Sequence, residues 1–161
     1  VSASARVAIE ALRERGWTVG VAESLTGGAV SSALVSVAGA SSVFVGGVVA
    51  YATPIKHTLL AVDARLLEEH GPVHPEVALQ MAEGVRRALA VDGADASVGL
   101  STTGIAGPES PDGQPVGTVH IGVVTPERAE TQVFLFDGDR ARIREQAVDA
   151  ALVLLVGALR E

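Results

Sequence analysis

Residues 50–56 read AYATPIK and hold the chain's one tyrosine and one lysine, against eleven arginines. The two cation types differ in chemistry: a guanidinium stays protonated at physiological pH, whereas a lysine ammonium gives up its proton when desolvated or set near other positive charge. Lys56 is thus the one side-chain amine able to act as a base. Compositional drift could also leave a single lysine at an arbitrary place, so its surroundings decide. The chain has no cysteine, which removes disulfides, thiolate metal sites and thiol catalysis and leaves oxygen or nitrogen as the nucleophile. Ser24, in ESLTGG at 23–28, is the candidate oxygen.

These residues need elements to hold them. Val7, Ala8, Ala11 and Leu12 recur at helical spacing, with Ser4 as the expected N-cap and Gly16 as the stop. TVGVA at 18–22 reads as a strand ending at Glu23 and Ser24, and Ala29, Val30, Ala33, Leu34 and Val37 then restore the 3.6-residue period. VFVGGVVAY at 43–51 is nearly unbroken apolar sequence, expected as a strand buried on both faces. Thr53-Pro54 predicts a capped helix to about Leu60, with Lys56 near its third position; a second short helix follows from Asp63 to Glu69. His74-Pro75 opens a helix with Val77, Ala78, Met81, Ala82 and Val85 on one face. ASVGLS at 96–101 reads as a third strand, GTVHIGVVT and TQVFLF as an antiparallel hairpin, and a long amphipathic helix runs from Asp139. No repeat or linker divides residues 1–161, so a single domain is expected: a three-layer α/β/α sandwich around a mostly parallel five-stranded mixed sheet.

Ligands gather beyond the carboxyl ends of parallel strands. That rule brings together Ser24, the turn Glu23, Thr26, Gly27 and Gly28, the Tyr51/Lys56 segment, and the loop STTGIAG containing Thr102, Thr103, Gly104, Ile105, Ala106 and Gly107. Each piece alone has a plain structural reading as a cap or a tight turn; their convergence on one rim favours chemistry. An early helical position disfavours a cation, and burial lowers a lysine pKa from about 10.4 toward neutrality. A neutral Lys56 could take the proton of Ser24, with backbone N–H groups at Thr26 to Gly28 stabilising an oxyanion.

Other chemistries find less support. The formal charge of −7 and pI near 5.0 argue against binding to nucleic acid or an anionic membrane surface. No membrane-length apolar run or signal-peptide pattern is present, which leads to a cytoplasmic expectation. His70 and His74 are four apart, but Gly71-Pro72 breaks the helix that would align them, so no metal site is expected; neither GxGxxG nor GxxxxGK[ST] occurs, and no organic cofactor is expected either.

The ordered blocks VAESLTGG, GGVVAYATPIKHTLLAV, HGPVHPEVALQMAEG, STTGIAGP with PVGTVHIGV, and GDRARIREQAV closely resemble the C-terminal domain of the CinA competence/damage-inducible proteins, a family that includes nicotinamide-nucleotide amidases. The resemblance implies hydrolysis of the carboxamide of nicotinamide mononucleotide, with Ser24, Tyr51 and Lys56 matching the family's catalytic positions, and association into homodimers or larger homo-oligomers. A nucleotide-binding or regulatory module with little turnover is the alternative. Two positions depart from the family pattern: Leu25 stands where cysteine is common, and QPVG at 114–117 stands where a lysine often precedes PVG. If that lysine helps hold phosphate in relatives, Arg140, Arg142 and Arg144 are the candidates for the role here.

Overall fold

The computed structural model describes residues 1–160. Its elements, in chain order, are α1 (Ala3–Arg15), β1 (Val19–Glu23), α2 (Ala29–Val35), β2 (Phe44–Val49), α3 (Thr53–Leu60), α4 (Ala64–His70), α5 (Pro75–Ala88), β3 (Val98–Gly104), β4 (Thr118–Val124), β5 (Ala129–Leu135) and α6 (Arg140–Arg160). The strands form one sheet in the order β2-β1-β3-β4-β5.

Alternation along the strands sorts the core into two clusters. Val19, Val21, Val98, Leu100, Val119, Ile121 and Val123 meet α1, α2 and α6 through residues such as Ile9, Leu34 and Leu155. On the opposite face Ala22 joins Leu60, Val77, Met81 and Val85 from α3 and α5. Helix α5 lies very close to the sheet because Gly99 and Gly122 have no side chains to hold it off. A Cβ on Gly122 would stand 2.5 Å from the Ala78 carbonyl oxygen, and one on Gly99 would overlap that of Ala82. The same closeness lets Ser101 Oγ donate to the Ala78 carbonyl at 2.5 Å.

Four expectations need correction. The sheet is evenly mixed: β1 pairs in parallel with β2 and β3, whereas β3–β4 and β4–β5 are antiparallel. A parallel β3–β4 pair would need a crossover element, and residues 105–117 contain no helix, so the chain turns back. The VFVGGVVAY strand is an edge strand with half-buried and exposed side chains, since its apolar length says nothing of its place in the sheet. Ser2 caps α1, its side chain accepting from the Ala5 N–H, while Ser4 lies within the helix. Thr53 is the first residue of α3 and Ala52 its N-cap, which makes Lys56 the fourth helical residue and weakens the field of the helix end on its amine. The β4–β5 hairpin is antiparallel as the sequence predicts. Among the described residues no helix is long and apolar enough to cross a membrane.

Replacing Gly99 by alanine forces α5 outward or the strand aside. We expect Gly99→Ala to cost about 1–3 kcal/mol by overpacking, seen as a lowered midpoint in thermal or urea unfolding; an unchanged midpoint would mean that α5 has slack above β3.

Candidate active site

Ser24 immediately follows β1, Ala50 and Tyr51 follow β2, Lys56 lies in α3, and Thr102 belongs to β3. The parallel part of the sheet therefore delivers all of them to one rim. Lys56 is 1% exposed, and its Nζ donates to the Ala50 carbonyl at 2.7 Å, the Tyr51 carbonyl at 3.1 Å and Ser24 Oγ at 3.1 Å. No carboxylate is among these partners. Burial pushes its pKa down from 10.5 to about 8 by desolvating the ammonium, with no contribution needed from the helix end. Ser24 is itself 7% exposed, so the pair sits largely out of water.

The turn after β1 is held from three sides. Glu23 is fully buried, and its carboxylate accepts from the N–H groups of Gly28, Val30 and Ser31 and from Ser31 Oγ, at 2.7–3.1 Å. An anion at the start of α2 satisfies the helix's unpaired donors, so Glu23 is engaged in shaping the turn. Thr26 Oγ1 and Thr102 Oγ1 are 2.8 Å apart, and the Ser24 N–H donates to Thr102 Oγ1 at 3.3 Å. Gly27 and Gly28 have φ of 60° and 102°, left-handed values that L side chains rarely adopt.

Of the N–H groups expected to face an oxyanion, that of Gly27 donates to the Ser24 carbonyl at 3.1 Å and that of Gly28 to Glu23 Oε1 at 3.1 Å. Among the described residues, the N–H groups of Leu25 and Thr26 have no protein partner. Of the three expected N–H groups only that of Thr26 is left uncommitted, and that of Leu25, not among them, joins it; glycine content marks where the backbone bends and not where its N–H groups point.

The remaining candidates separate. Thr103 Oγ1 donates to the Pro72 carbonyl at 2.7 Å and braces the strand end; Gly104 packs against Thr118 and Val119 of β4, and Ile105 and Ala106 are each 6% exposed. Arg140 reaches two loops, donating from Nη1 to the Gly107 carbonyl at 2.6 Å and from Nη2 to the Tyr51 hydroxyl at 3.1 Å. The Tyr51 ring is otherwise open, the residue being 60% exposed. Arg144 donates to the Leu25 and Thr26 carbonyls at 2.8 and 3.3 Å. Arg142 faces elsewhere and pairs with Glu145 at 3.7 Å. Spacing could have told them apart, since positions 140 and 144 share a helical face and 142 does not. The Ala50 and Tyr51 carbonyls that receive Lys56 carry no side-chain signal at all.

Residues 2–159 match the CinA C-terminal domain family. This chain belongs to that family. CinA-like proteins of Anaeromyxobacter dehalogenans and Frankia casuarinae are 48% and 45% identical to it over 151 and 149 residues, covering 92% of the chain in each case but 36% and 33% of those relatives. The chain therefore spans about a third of the length of these CinA-like relatives. The solved structure of a CinA superfamily protein from Klebsiella pneumoniae superimposes with TM-score 0.90 at 32% identity, covering 98% of this chain and 96% of that one. The competence/damage inducible protein CihA from Agrobacterium tumefaciens gives 0.86 at 33% identity, covering 98% and 94%. The CinA C-terminal fold thus occurs also in chains of about this length.

Folding lowers the Lys56 pKa, so between about pH 8 and 10.5 the unfolded chain binds more protons than the folded one, and stability rises with pH across that window. At 1.36 kcal/mol per unit, the native chain should gain up to roughly 3 kcal/mol relative to Lys56→Met from one end of the window to the other. Denaturant titrations of both proteins at several pH values measure it; a constant difference would mean a solvated lysine of ordinary pKa.

Proposed function

We propose that this domain hydrolyses the carboxamide of nicotinamide mononucleotide to nicotinic acid mononucleotide and ammonia, with Ser24 as nucleophile and Lys56 as general base. The observation that carries this reading is the buried 3.1 Å contact between Lys56 Nζ and Ser24 Oγ. A neutral amine has two N–H donors and one lone pair. The Ala50 and Tyr51 carbonyls take the two donors, which leaves the lone pair for the Ser24 O–H. With a pKa of about 8, about a tenth of the amine is neutral at pH 7.

In the proposed sequence Ser24 Oγ bonds to the carboxamide carbon as its proton passes to Lys56, and the carbonyl π-electrons move to oxygen. Collapse breaks the C–N bond while Lys56 returns the proton to the departing nitrogen, giving ammonia and a Ser24 ester. Water, deprotonated by the same amine, then cleaves the ester and restores Ser24. No metal or organic cofactor has a part in these steps.

The substrate class comes from family membership and from the placement of the arginines. Arg144 is bound to the nucleophile turn and Arg142 to Glu145, so Arg140, at the rim beside Tyr51, suits an anionic phosphate. Tyr51 then serves twice: its carbonyl orients the amine and its phenol sets Arg140. Self-association is part of the same proposal, supported by edge strand β5, where Val133 and Leu135 are 61% and 64% exposed. Light scattering at micromolar concentration should give a multiple of the monomer mass.

Purified protein should release ammonia from nicotinamide mononucleotide after chelator treatment, with kcat/KM rising with pH to a plateau above about pH 8. Lys56→Arg and Ser24→Ala should each lower kcat by about 10³-fold, and the double variant should lose little more. Tyr51→Phe should act mainly on KM. A folded Lys56→Arg enzyme near full activity would overturn the general-base role, and saturable nucleotide binding with no turnover by the native chain would establish the binding module instead.

A further inference from the structure

Arg144 spends a cationic fork on two neutral backbone carbonyls. It is half-buried on α6, and among the described residues its guanidinium meets no carboxylate: Nε donates to the Leu25 carbonyl at 2.8 Å and Nη2 to the Thr26 carbonyl at 3.3 Å. Two donors at fixed separation fit two successive carbonyls; an ammonium is a single point and fits one. Gly27 admits this approach by lacking a side chain: a Cβ there would stand 3.3 Å from Arg144 Nη2, closer than ordinary van der Waals contact.

Fixing a carbonyl also fixes an N–H. In a planar trans peptide the two point in opposite directions, and the only cis bond among the described residues is Gly107-Pro108. The peptide whose carbonyl belongs to Leu25 carries the Thr26 N–H; the peptide whose carbonyl belongs to Thr26 carries the Gly27 N–H, already given to Ser24. Helix α6 packs on one face of the sheet, whereas α3, which carries Lys56, packs on the other. A Leu25 carbonyl drawn toward α6 therefore sends the Thr26 N–H toward the side where Ser24 Oγ meets Lys56.

We propose that Arg144 is a positioning residue: by holding the Leu25 and Thr26 carbonyls from α6 it aims the Thr26 N–H, alongside that of Leu25, at the oxygen of the acyl group attacked by Ser24. The inference rests on the amidase reading above. It assigns Arg144 to the oxyanion donors and leaves substrate phosphate to Arg140.

The test compares native chain, Arg144→Ala and Arg144→Lys in nicotinamide mononucleotide hydrolysis, and follows the Thr26 amide NMR resonance in substrate-free protein. Arg144→Ala should lower kcat by about 10²-fold, the scale of one oxyanion donor, with KM within about threefold of native. Guanidinium at non-denaturing concentration should restore rate and move the Thr26 resonance back toward its native position, while methylammonium should do neither. Arg144→Lys should resemble Arg144→Ala, and it carries the comparison should the alanine variant fail to fold. Unchanged kcat, or a raised KM with kcat kept, would overturn the proposal, the latter by placing Arg144 on the substrate. If native protein releases no ammonia, the amidase reading falls; the Thr26 resonance then decides separately whether Arg144 sets the turn, and an unmoved resonance rejects it.

Discussion

The site depends on one constraint: an amine that must be buried among acceptors without a counter-ion. Lys56 at 1% exposure faces two carbonyls and a hydroxyl. A carboxylate in the same place would hold the ammonium charged and raise its pKa. Carbonyl dipoles supply hydrogen bonds without a full negative charge, so desolvation prevails and the amine titrates near physiological pH. The nearest buried carboxylate on β1, that of Glu23, is turned to the opposite side of the strand and saturated by the start of α2. The two side chains part at the end of the strand: Glu23, the last residue of β1, turns to α2, and Ser24, in the turn that follows, meets Lys56 of α3.

From that requirement follows much of the local architecture. The carbonyls of residues 50 and 51 must point at the amine, and α3 must begin directly after them, since only the short segment from Ala50 to Lys56 separates acceptors from donor. The Ala50 N–H is anchored to the Glu23 carbonyl at 2.8 Å, which ties the acceptor loop to the strand carrying the nucleophile. Across the rim, α6 contributes Arg140 and Arg144 one helical turn apart. One joins the Tyr51 and Gly107 loops, the other the Ser24 turn. A single rigid helix thereby fixes three loops relative to each other, which suits a reaction whose partners must meet within a few tenths of an ångström.

How far the sequence revealed this depends on what kind of atom acts. Ser24, Lys56 and the three converging loops were legible because side-chain type and strand order suffice to place them. The edge position of β2 was not, since an apolar run reports burial tendency but not neighbours, and two glycines within it reduce what there is to bury. The direction of β4 was hidden in the same way: residues 105–117 are rich in turn formers, and nothing in their composition fixes which way the next strand runs. Of the N–H groups expected to be available, Thr26 to Gly28, only that of Thr26 stays uncommitted, with Leu25 added, because hydrogen-bond commitments within a turn are set by its dihedral angles. Arg142 looked equivalent to its neighbours until helical phase separated them.

The two departures from the family pattern resolve differently in physical terms. Leu25 is 4% exposed and packed in the cluster shared with α2 and α6. Free cysteine behaves as a small buried hydrophobe in such a place, so side-chain identity at this position concerns packing, while the chemistry proposed there belongs to the backbone and is indifferent to the side chain. Gln114 is another matter. Its Nε2 donates to the Val73 carbonyl at 3.0 Å and to Asp112 Oδ2 at 2.8 Å, strapping the β3–β4 loop to the segment before α5. These bonds, with those from Ser110 and the Gln114 N–H, hold the Asp112 carboxyl below its usual range although burial opposes them. A lysine at this position would add a positive charge that glutamine does not supply. In the proposed reading anion attraction on this rim therefore rests more heavily on α6, and Arg140, already fixed between Tyr51 and Gly107, is the group assigned to provide it.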